Sequence, residues 1–324
     1  MGFENGKNGK ITFLDVIKSR DCKDFVSMTV TNARELELIN TVSMNEYEEK
    51  TLVKTADGTF EFRDFNEGSN ITLPQYEIRT CKCANANPVL DIDILLYERW
   101  EADGTLGQNI EDMKRDYFEG VMKQLGKQFY YGDVRDNSSA TPDKGFPGID
   151  KMVIPGLRFS AGGSTANQQN SLWFICSGDR YCSMVYGGGK GEPFKFGEWR
   201  RETRVENGKK MTVMACDFTM YPAVRVKRPQ SIACIKNIQS SFNDDMIGAA
   251  VAQMRSMGME PDFALTTPRV IELLRKSRTA TNPTGLPAPL PEEIANGIPL
   301  YWTSSLKEKS EPVDSTTGII SVAS

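Results

Sequence analysis

The longest regular pattern of apolar and polar positions runs from Gly107 to Tyr131. Its apolar residues recur at steps of three, four, seven and eight positions, which places them along one stripe of an α-helix. They are Ile110, Met113, Tyr117, Phe118, Val121, Met122, Leu125 and Phe129. Asn109 is placed to cap the first turn, and Gly132 follows as a stop. The pattern predicts a helix about 35 Å long, at about 1.5 Å per residue.

Two glycines, Gly120 and Gly126, interrupt this helical pattern. Each costs roughly 1 kcal/mol relative to alanine inside a helix. Because that cost calls for a compensating reason, the two positions predict places where another backbone crosses the helix closely.

Residues 45–88 show the alternation of strands instead. Asp57-Gly58 separates two alternating runs and is typical of hairpin turns, and Asn66-Glu67-Gly68 predicts a second turn. A further alternating run covers residues 76–83. Few residues here are large and apolar, and a two-stranded ribbon without a core is marginal in water. The pattern therefore predicts an extended hairpin that lies on another surface, such as a neighbouring subunit.

Strand-like and helical segments fill the rest of the chain. Residues 89–100 form a continuous β-like stretch before the long helix. Downstream, strands are predicted at residues 172–175 and 181–186 as one hairpin, at 198–205 and 210–215 around Asn207-Gly208, at 218–226, at 231–235 and at 298–302. Asn243 caps a predicted helix over residues 244–257, and Thr267 caps a second one that begins with Pro268.

Composition narrows the class of protein. The chain has 324 residues, of which 39% are hydrophobic and 25% charged, as expected of a protein with a buried core. The net charge of −4 argues against a dominant nucleic-acid-binding role, because binding phosphates requires a surplus of lysine and arginine. The sequence contains neither a run of about 18 apolar residues nor an apolar N-terminal signal core. A cytosolic location is the expectation.

The absence of histidine limits the chemistry available to the chain. Ser-His-Asp and Cys-His arrangements, histidine-ligated metals and histidine general bases are excluded. The seven cysteines are odd in number and scattered, which favours reduced thiols. A metal site built from the pairs Cys81/Cys83 and Cys176/Cys182 has the wrong spacing for zinc. The sequence therefore predicts no catalytic, cofactor-binding or metal-binding residues.

Residues 187–191 are rich in glycine and include Lys190, so they are similar in composition to phosphate-binding loops. This glycine run fails the spacing of such loops, since Lys190 is followed by Gly191 where Ser or Thr is required. The run is interpreted as a surface loop.

Six short motifs occur in an order and spacing that resemble one protein family. They are residues 63–68 (RDFNEG), 129–133 (FYYGD), 146–149 (FPGI), 171–175 (SLWFI), 221–238 (ending CIKNI) and 244–278. On these motifs the chain resembles the major capsid proteins of tailed bacteriophages, whose shell fold is shared with herpesvirus capsid proteins and encapsulins. The resemblance covers roughly residues 12–310. It departs from the family at Cys176-Ser177-Gly178, where a Trp-Gly turn is usual, and at Tyr186-Gly187, where Tyr-Pro is common.

The resemblance implies an α+β fold, the phage major capsid protein fold, divided into four regions. These are an N-terminal arm at residues 1–45, an extended β-hairpin loop (the E-loop) at 46–88, a peripheral domain at 89–237 that carries the long spine helix of residues 107–131, and a mainly axial domain at 238–324. In such a fold the arm and the loop reach across neighbouring subunits, and the axial domains meet at five-fold and six-fold axes. The candidate inter-subunit contact residues are Phe13, Leu14, Phe60, Phe62, Arg63, Asn66, Glu67 and Gly68.

The function that the resemblance implies is structural rather than enzymatic: a major capsid (head) protein that self-assembles into pentamers and hexamers of an icosahedral shell enclosing double-stranded DNA. The expected partners are other copies of the chain, a separate scaffolding protein, a portal, and DNA held by weak non-specific contact, with no membrane and no cofactor. A separate scaffolding protein is expected because the arm is too short to hold a fused one. The expected location is the virion capsid, assembled in the host cytoplasm.

Two alternatives remain open at this point. An encapsulin-type compartment shell shares the same fold and would enclose a cargo enzyme in place of DNA. The other alternative is a histidine-free ligand-binding protein that uses the glycine run at residues 187–191.

Overall fold

A long helix divides the chain into an extended strand-rich region and a set of sheets that follow it. The structure is a computed structural model that describes residues 33–132, 145–188, 194–240, 242–280, 286–294, 297–315 and 318–319. Within these ranges the helices are α1 (Arg34–Leu38), α2 (Ile94–Ala102), α3 (Leu106–Tyr131), α4 (Asp244–Ser256) and α5 (Pro268–Ala280). The strands are β1 (Thr41–Ser43), β2 (Glu48–Ala56), β3 (Thr59–Phe60), β4 (Ile71–Thr72), β5 (Gln75–Lys82), β6 (Val89–Asp93), β7 (Arg158–Ser160), β8 (Asn170–Ile175), β9 (Cys182–Tyr186), β10 (Phe194–Phe196), β11 (Arg200–Glu206), β12 (Lys209–Met220), β13 (Pro222–Val226), β14 (Ile232–Ile238), β15 (Phe263–Thr266), β16 (Glu293–Ile294), β17 (Ile298–Trp302) and β18 (Gly318–Ile319).

The predicted spine helix is confirmed as α3, which has 26 residues. Its buried side chains include Phe118, Met122, Leu125 and Phe129, all on the predicted apolar stripe. Gly132 ends the helix as predicted, with a φ of 76° that favours glycine. None of the described helices is both long enough and apolar enough to cross a membrane.

The predicted cap at Asn109 is wrong. The helix begins at Leu106, and Thr105 occupies the cap position without a side-chain cap bond. Asn109 lies within the first turn, where its backbone N donates to Thr105 O at 3.0 Å and its Nδ2 donates to Thr105 Oγ1 at 3.1 Å. The side chain of Asn109 thus contacts the cap residue and does not act as the cap itself.

Residues 89–100, predicted as one continuous β-like stretch, divide into β6 and α2. Asp93 ends the strand and caps the helix, because its Oδ1 accepts a hydrogen bond from Leu95 N at 2.8 Å. Apolar residues on both sides of Asp93 concealed this change from the sequence pattern. Helix α2 buries none of its side chains, and Leu95 and Leu96 are exposed.

The largest sheet has seven strands in the order β16-β17-β15-β8-β14-β7-β18. Strand β8 lies antiparallel to both β14 and β15, whereas β14 pairs in parallel with β7. Every residue of β8 and β14 is buried. Both faces of the central strands are therefore covered, as in sheets that carry helices on either side.

Successive residues along β8 face two different helical layers. Phe174 packs in one cluster with Val251 of α4 and Leu274 of α5. Trp173, the preceding residue, packs against α3, and its ring centroid lies 5.7 Å from that of Tyr130. The sheet is thus enclosed between α3 on one face and α4 and α5 on the other.

The hairpin predicted from residues 172–175 and 181–186 is wrong. Strand β8 belongs to the seven-stranded sheet, whereas β9 lies between β1 and β13 in a separate three-stranded sheet. Both strands are buried along their whole length. A run of buried residues has no distinct polar face, so its pattern does not specify which strand pairs with it.

The hairpin predicted around Asn207-Gly208 is confirmed by β11 and β12. Asn207 and Gly208 have φ angles of 51° and 77°, the left-handed backbone that a two-residue turn of this type requires. Helix α4 is capped as predicted by Asn243, whose Oδ1 accepts from Met246 N at 3.2 Å, and α5 begins at Pro268. The strands predicted at residues 231–235 and 298–302 are confirmed as β14 and β17.

The seven-stranded sheet joins segments from both sides of residue 237. Strands β7 and β8 precede it, β14 crosses it, and β15 to β18 follow it. The division into a peripheral domain that ends at residue 237 and an axial domain that begins at 238 stays a prediction. Of the predicted arm, residues 1–32 lie outside the described residues, and α1 and β1 follow them.

Candidate inter-subunit surface

Residues 48–82 form a two-stranded ribbon, which is the predicted extended loop. Near the body of the protein, β2 and β5 pair antiparallel, from Glu48 opposite Lys82 to Ala56 opposite Gln75. Farther out, β3 pairs with β4. The tip turns at Asn66, whose φ is 64°, which agrees with the second predicted turn.

The hairpin turn predicted at Asp57-Gly58 is wrong, because β2 pairs with β5 and not with β3. The register of β2 and β5 shifts between Lys54 and Ala56, and the ribbon continues outward beyond this irregularity. Gly58 lies against the opposite strand, since a Cβ added there would lie 2.9 Å from the Thr72 carbonyl oxygen. The glycine therefore permits close approach of two strands within the ribbon and does not reverse the chain.

The end of the ribbon nearest the body is anchored in its own chain. Thr51 and Val53 are buried on one side of β2. The buried Arg225 side chain on β13 donates to Glu49 Oε2 at 2.8 Å and also to Asp179. These contacts fix the direction in which the ribbon leaves the body.

The outer part of the ribbon buries almost nothing. Phe62 and Phe65, close to the tip, are 94% and 96% exposed. The exposed large apolar side chains of the ribbon are Leu52, Phe60, Phe62, Phe65, Ile71, Leu73, Tyr76 and Ile78. Burying a side chain such as phenylalanine is worth about 1.5–3 kcal/mol, so this surface gains stability from a partner. Contiguous exposed apolar patches on soluble proteins mark interaction sites.

Six of the predicted contact residues lie together at the outer end of the ribbon: Phe60, Phe62, Arg63, Asn66, Glu67 and Gly68. The rings of Phe60 and Phe62 meet edge to face with centroids 5.2 Å apart. Arg63 Nη1 donates to Glu67 O at 3.2 Å across the turn. The tip is therefore locally ordered by its own contacts, while the aromatic rings face outward.

Phe13 and Leu14, the other two predicted contact residues, lie outside the described residues. The contact of all eight residues with another subunit stays a prediction. Leu52, Tyr76 and Ile78 are exposed on the inner length of the ribbon and are not among the predicted contact residues. The period-two alternation of β2 and β5 could have placed them on the face that points away from the body.

A groove lies between α3 and β12. Its volume is about 420 Å³, and both apolar side chains, such as Tyr117 and Phe218, and uncharged amide side chains, such as Asn85, Gln124 and Gln128, line it. None of the described residues that line it carries a charged side chain.

A partly buried cluster of charges joins the segment at residues 311–314 to the seven-stranded sheet. Arg158 Nε donates to Asp314 Oδ2 at 2.6 Å, and Lys236 Nζ lies 2.9 Å from Asp150 Oδ1. Burial acts to lower the pKa of Lys236, but the attraction of Glu311 and Asp150 outweighs it and the pKa is raised. Both cations stay charged and paired at neutral pH, so the cluster ties residues 311–314 to β7 and β14.

The described cysteines are free thiols. Burial raises the pKa of Cys83 to about 11 and those of Cys81 and Cys234 to about 12. Because the thiolate is the nucleophile and metal ligand, these thiols are poorly suited to either role at neutral pH. Cys22 lies outside the described residues. Within the described part of the chain, no three His, Cys, Asp or Glu side chains are grouped so that they could hold a metal ion.

The glycine run begins against the base of the ribbon. A Cβ added at Gly187 would lie 3.0 Å from Cys83 Sγ and 3.1 Å from Tyr47 Cδ1, so the first glycine allows the ribbon base to pack closely. Gly188 has a φ of 95°, which favours glycine. Residues 189–191 lie outside the described residues, and a ligand site there stays untested.

The architecture is that of the phage major capsid proteins, so the predicted fold is confirmed. A chain of the bacteriophage Epsilon15 structure superposes on this chain with a TM-score of 0.53 at 16% sequence identity, over 84% of this chain and 87% of that one. At this identity the likeness establishes the fold alone. In sequence, the chain matches no protein-family profile and no curated protein.

Two further solved structures superpose less closely. A chain of the procapsid of bacteriophage JBD30 gives a TM-score of 0.44 at 9% identity, over 88% of this chain and 95% of that one. A chain of the SrpI encapsulin complex of Synechococcus elongatus PCC 7942 gives 0.40 at 11% identity, over 65% and 89%.

Proposed function

We propose that the chain is the structural subunit of a closed protein shell, and that its ribbon lies across a neighbouring copy of the same chain. The observation that carries the proposal is the apolar outer ribbon, where Phe62 and Phe65 are almost wholly exposed. The capsid-protein fold described above supports it.

The ribbon favours assembly into rings. Its base is fixed to the body by Arg225 and Glu49, so its tip is held at a distance from its own chain. A projecting tip contacts a different surface on the next copy, which makes the contact heterologous, and heterologous contacts repeated around an axis close into rings. Pentamers and hexamers are the rings that the proposal requires for an icosahedral shell.

The proposed shell encloses double-stranded DNA in a virion and is assembled in the host cytoplasm with a separate scaffolding protein and a portal. The net charge of −4 fits a container that holds DNA by weak, non-specific contact, because tight binding requires a surplus of lysine and arginine. The buried, neutral thiols and the absence of histidine fit a structural role better than a catalytic one. The peripheral and axial domains and the N-terminal arm are part of the same proposal.

Electron microscopy of the purified chain, alone and with the scaffolding protein encoded beside it, tests the shell. Closed particles with five-fold and six-fold rings are expected in at least one of the two preparations. Discrete monomers in both would overturn the proposal. The particle contents, DNA or a cargo protein, separate a virion shell from an encapsulin-type compartment.

A pair of matched variants tests the ribbon. Phe62→Ser combined with Phe65→Ser removes the two most exposed rings and leaves the buried core untouched, so the chain is expected to fold but not to form shells. Glu61→Ser combined with Asp64→Ser changes exposed polar neighbours on the same tip and is expected to assemble normally. Shell formation by the phenylalanine variant at the wild-type level would contradict the role given to the ribbon.

A further inference from the structure

Glu35 on α1 is a buried acid at the meeting point of three segments that are distant in sequence. Its side chain is fully buried. Its Oε2 accepts a hydrogen bond from Thr303 Oγ1 at 2.7 Å, and its Oε1 accepts one from Ser305 Oγ. Glu35 therefore joins α1 to the segment that follows β17.

The spine helix supplies the third side of this site through Gly126. A Cβ added at Gly126 would overlap both Glu35 Oε1 and Ser305 Oγ, so the helix accommodates the acid only because no side chain stands there. The prediction that another backbone crosses closely at Gly126 is corrected: the close approach is there, but the side chains of Glu35 and Ser305 make it. At Gly120 the same prediction is wrong, because a Cβ there would meet no heavy atom within 4 Å.

The charged groups around Glu35 do not neutralise it. On α1, Arg34 pairs with Glu37 at 3.2 Å and lies over the ring of Tyr301 on β17. Among the described residues, no lysine or arginine forms an ion pair with Glu35, and its partners Thr303 and Ser305 are uncharged.

The spine helix faces Glu35 with one further titratable group, Tyr130. Burial, and then the neighbouring Glu35 carboxyl, raise the pKa of Tyr130 well above its ordinary value, so it stays a neutral phenol. Lys307, which follows Thr303 and Ser305 in the chain, lies over the ring of Tyr131 and not over the Glu35 carboxyl. No cation offsets a negative charge at this site within the described part of the chain.

We propose that Glu35 is a pH-dependent clasp: as a neutral carboxylic acid it holds α1 against the spine helix and the segment at residues 303–305, and ionisation releases α1. A neutral carboxyl has one donor and one acceptor oxygen, and the hydroxyls of Thr303 and Ser305 can serve as partner to either. An ionised carboxyl at the same place is a buried charge without a counter-ion, which is unfavourable.

The burial of Glu35 determines whether the clasp becomes more or less stable as the pH rises. Burial raises the pKa of Glu35 above its ordinary value of 4.5, and the hydroxyl hydrogen bonds offset only part of that rise. Because the pKa is higher in the closed state than in the open state, the clasp is fully stabilised below about pH 4.5 and loses stability as the pH rises through the raised value. Between those two limits, opening becomes about tenfold more favourable per pH unit.

The clasp controls how the N-terminal part of the chain joins the body. Residues 1–32 connect to the described fold at Ala33, which is itself buried beside the clasp. Release of α1 frees the attachment point of that segment while α3 and the sheets remain in place. The clasp lies within one chain, so it can be tested whether or not shells form.

Hydrogen exchange of residues 34–39 tests the clasp directly. The backbone amides of Leu36 and Ile39 donate within this segment and report its opening. Between about pH 5 and about pH 8, the protection of the wild type is expected to fall relative to that of Glu35→Gln, by about tenfold per pH unit until the pH reaches the raised pKa of Glu35 and by little above it. Glutamine is neutral at every pH and keeps one donor and one acceptor, so its clasp is expected to stay closed.

Two further variants keep the test decisive. Glu37→Gln, on the exposed side of the same helix, is expected to show the same pH dependence as the wild type. Ser305→Ala removes a hydrogen bond that lowers the pKa of Glu35, so the fall in protection is expected to continue to higher pH than in the wild type. Identical protection of the wild type and Glu35→Gln across this range, or lower protection of Glu35→Gln at every pH, would overturn the proposal.

Discussion

The ribbon and the seven-stranded sheet both contain large aromatic side chains, but the sheet buries them and the ribbon exposes them. In the sheet, Trp173 and Phe174 on β8 are fully buried, one against α3 and the other against α4 and α5. In the ribbon, Phe62 and Phe65 are almost wholly exposed. The two regions differ in how many faces the chain itself covers: both faces in the sheet, and part of one face in the ribbon.

This difference shows where the stability of each region originates. The sheet obtains its stabilising contacts within one chain, because helices cover its central strands on both sides. The ribbon has an anchored base but no core along its outer half, and an isolated two-stranded ribbon is marginal in water. A surface of this kind is stabilised by a partner, and the shell proposal identifies that partner as another copy.

The largest expected effect comes from truncating one phenylalanine in each region. Phe174→Ala leaves a cavity between β8 and two helices and is expected to lower the free energy of unfolding of the isolated chain by about 3–5 kcal/mol. Phe62→Ala removes an exposed ring and is expected to change it by no more than about 0.5 kcal/mol. Urea unfolding of both variants measures the contrast. A loss of stability in Phe62→Ala close to that of Phe174→Ala would mean that the ribbon packs on its own body.

Thiol labelling compares the base of the ribbon with its outer half. Burial raises the pKa of Cys83 to about 11, whereas a cysteine introduced by Thr72→Cys on exposed β4 is expected to titrate normally. At a pH near 8, the thiolate fraction of Cys83 is then about a hundredfold smaller, and alkylation is slowed at least that much. Mass spectrometry of labelled peptides gives both rates. Equal rates at the two sites would show that the base is not anchored as described.

The smallest expected effect is on the free energy of unfolding when alanine replaces each of two glycines of α3, Gly126 at a crowded position and Gly120 at an open one. Gly126→Ala forces a methyl group into Glu35 and Ser305 and is expected to lower the free energy of unfolding by about 1–3 kcal/mol. The methyl group added by Gly120→Ala would meet no heavy atom within 4 Å. This substitution is expected to raise the free energy of unfolding by about 0.5–1 kcal/mol, because alanine favours the helix. Thermal unfolding of the two variants measures these opposite signs. Stabilisation by Gly126→Ala would contradict the packing of α1 against the spine helix.

Sequence reasoning succeeded where the determining contacts are local. The stripe of α3, the turn at Asn207-Gly208 and the cap at Asn243 each depend on residues within a few positions of one another. The division of residues 89–100 into β6 and α2 was missed, although Asp93 provided a cap signal inside an apolar run.

Features that depend on distant contacts could not be predicted in the same way. The partner of β8 is undetermined by its own pattern, because it is buried on both faces. The burial of Glu35 cannot be read from its local sequence, since its partners Thr303 and Ser305 lie 268 and 270 positions away. The exposed face of the ribbon follows from period-two alternation, but the surface that we propose covers it belongs to another molecule.

Hydrogen exchange of the ribbon in the free subunit and in assembled particles is the most direct test of the central claim. Residues 55–80, exposed almost throughout in the single chain, are expected to exchange rapidly in the free subunit and to become protected on assembly, while β8 stays protected in both states. A ribbon that is equally protected in the free subunit, or that stays unprotected in closed particles, would contradict the claim that neighbouring copies supply the stability it lacks.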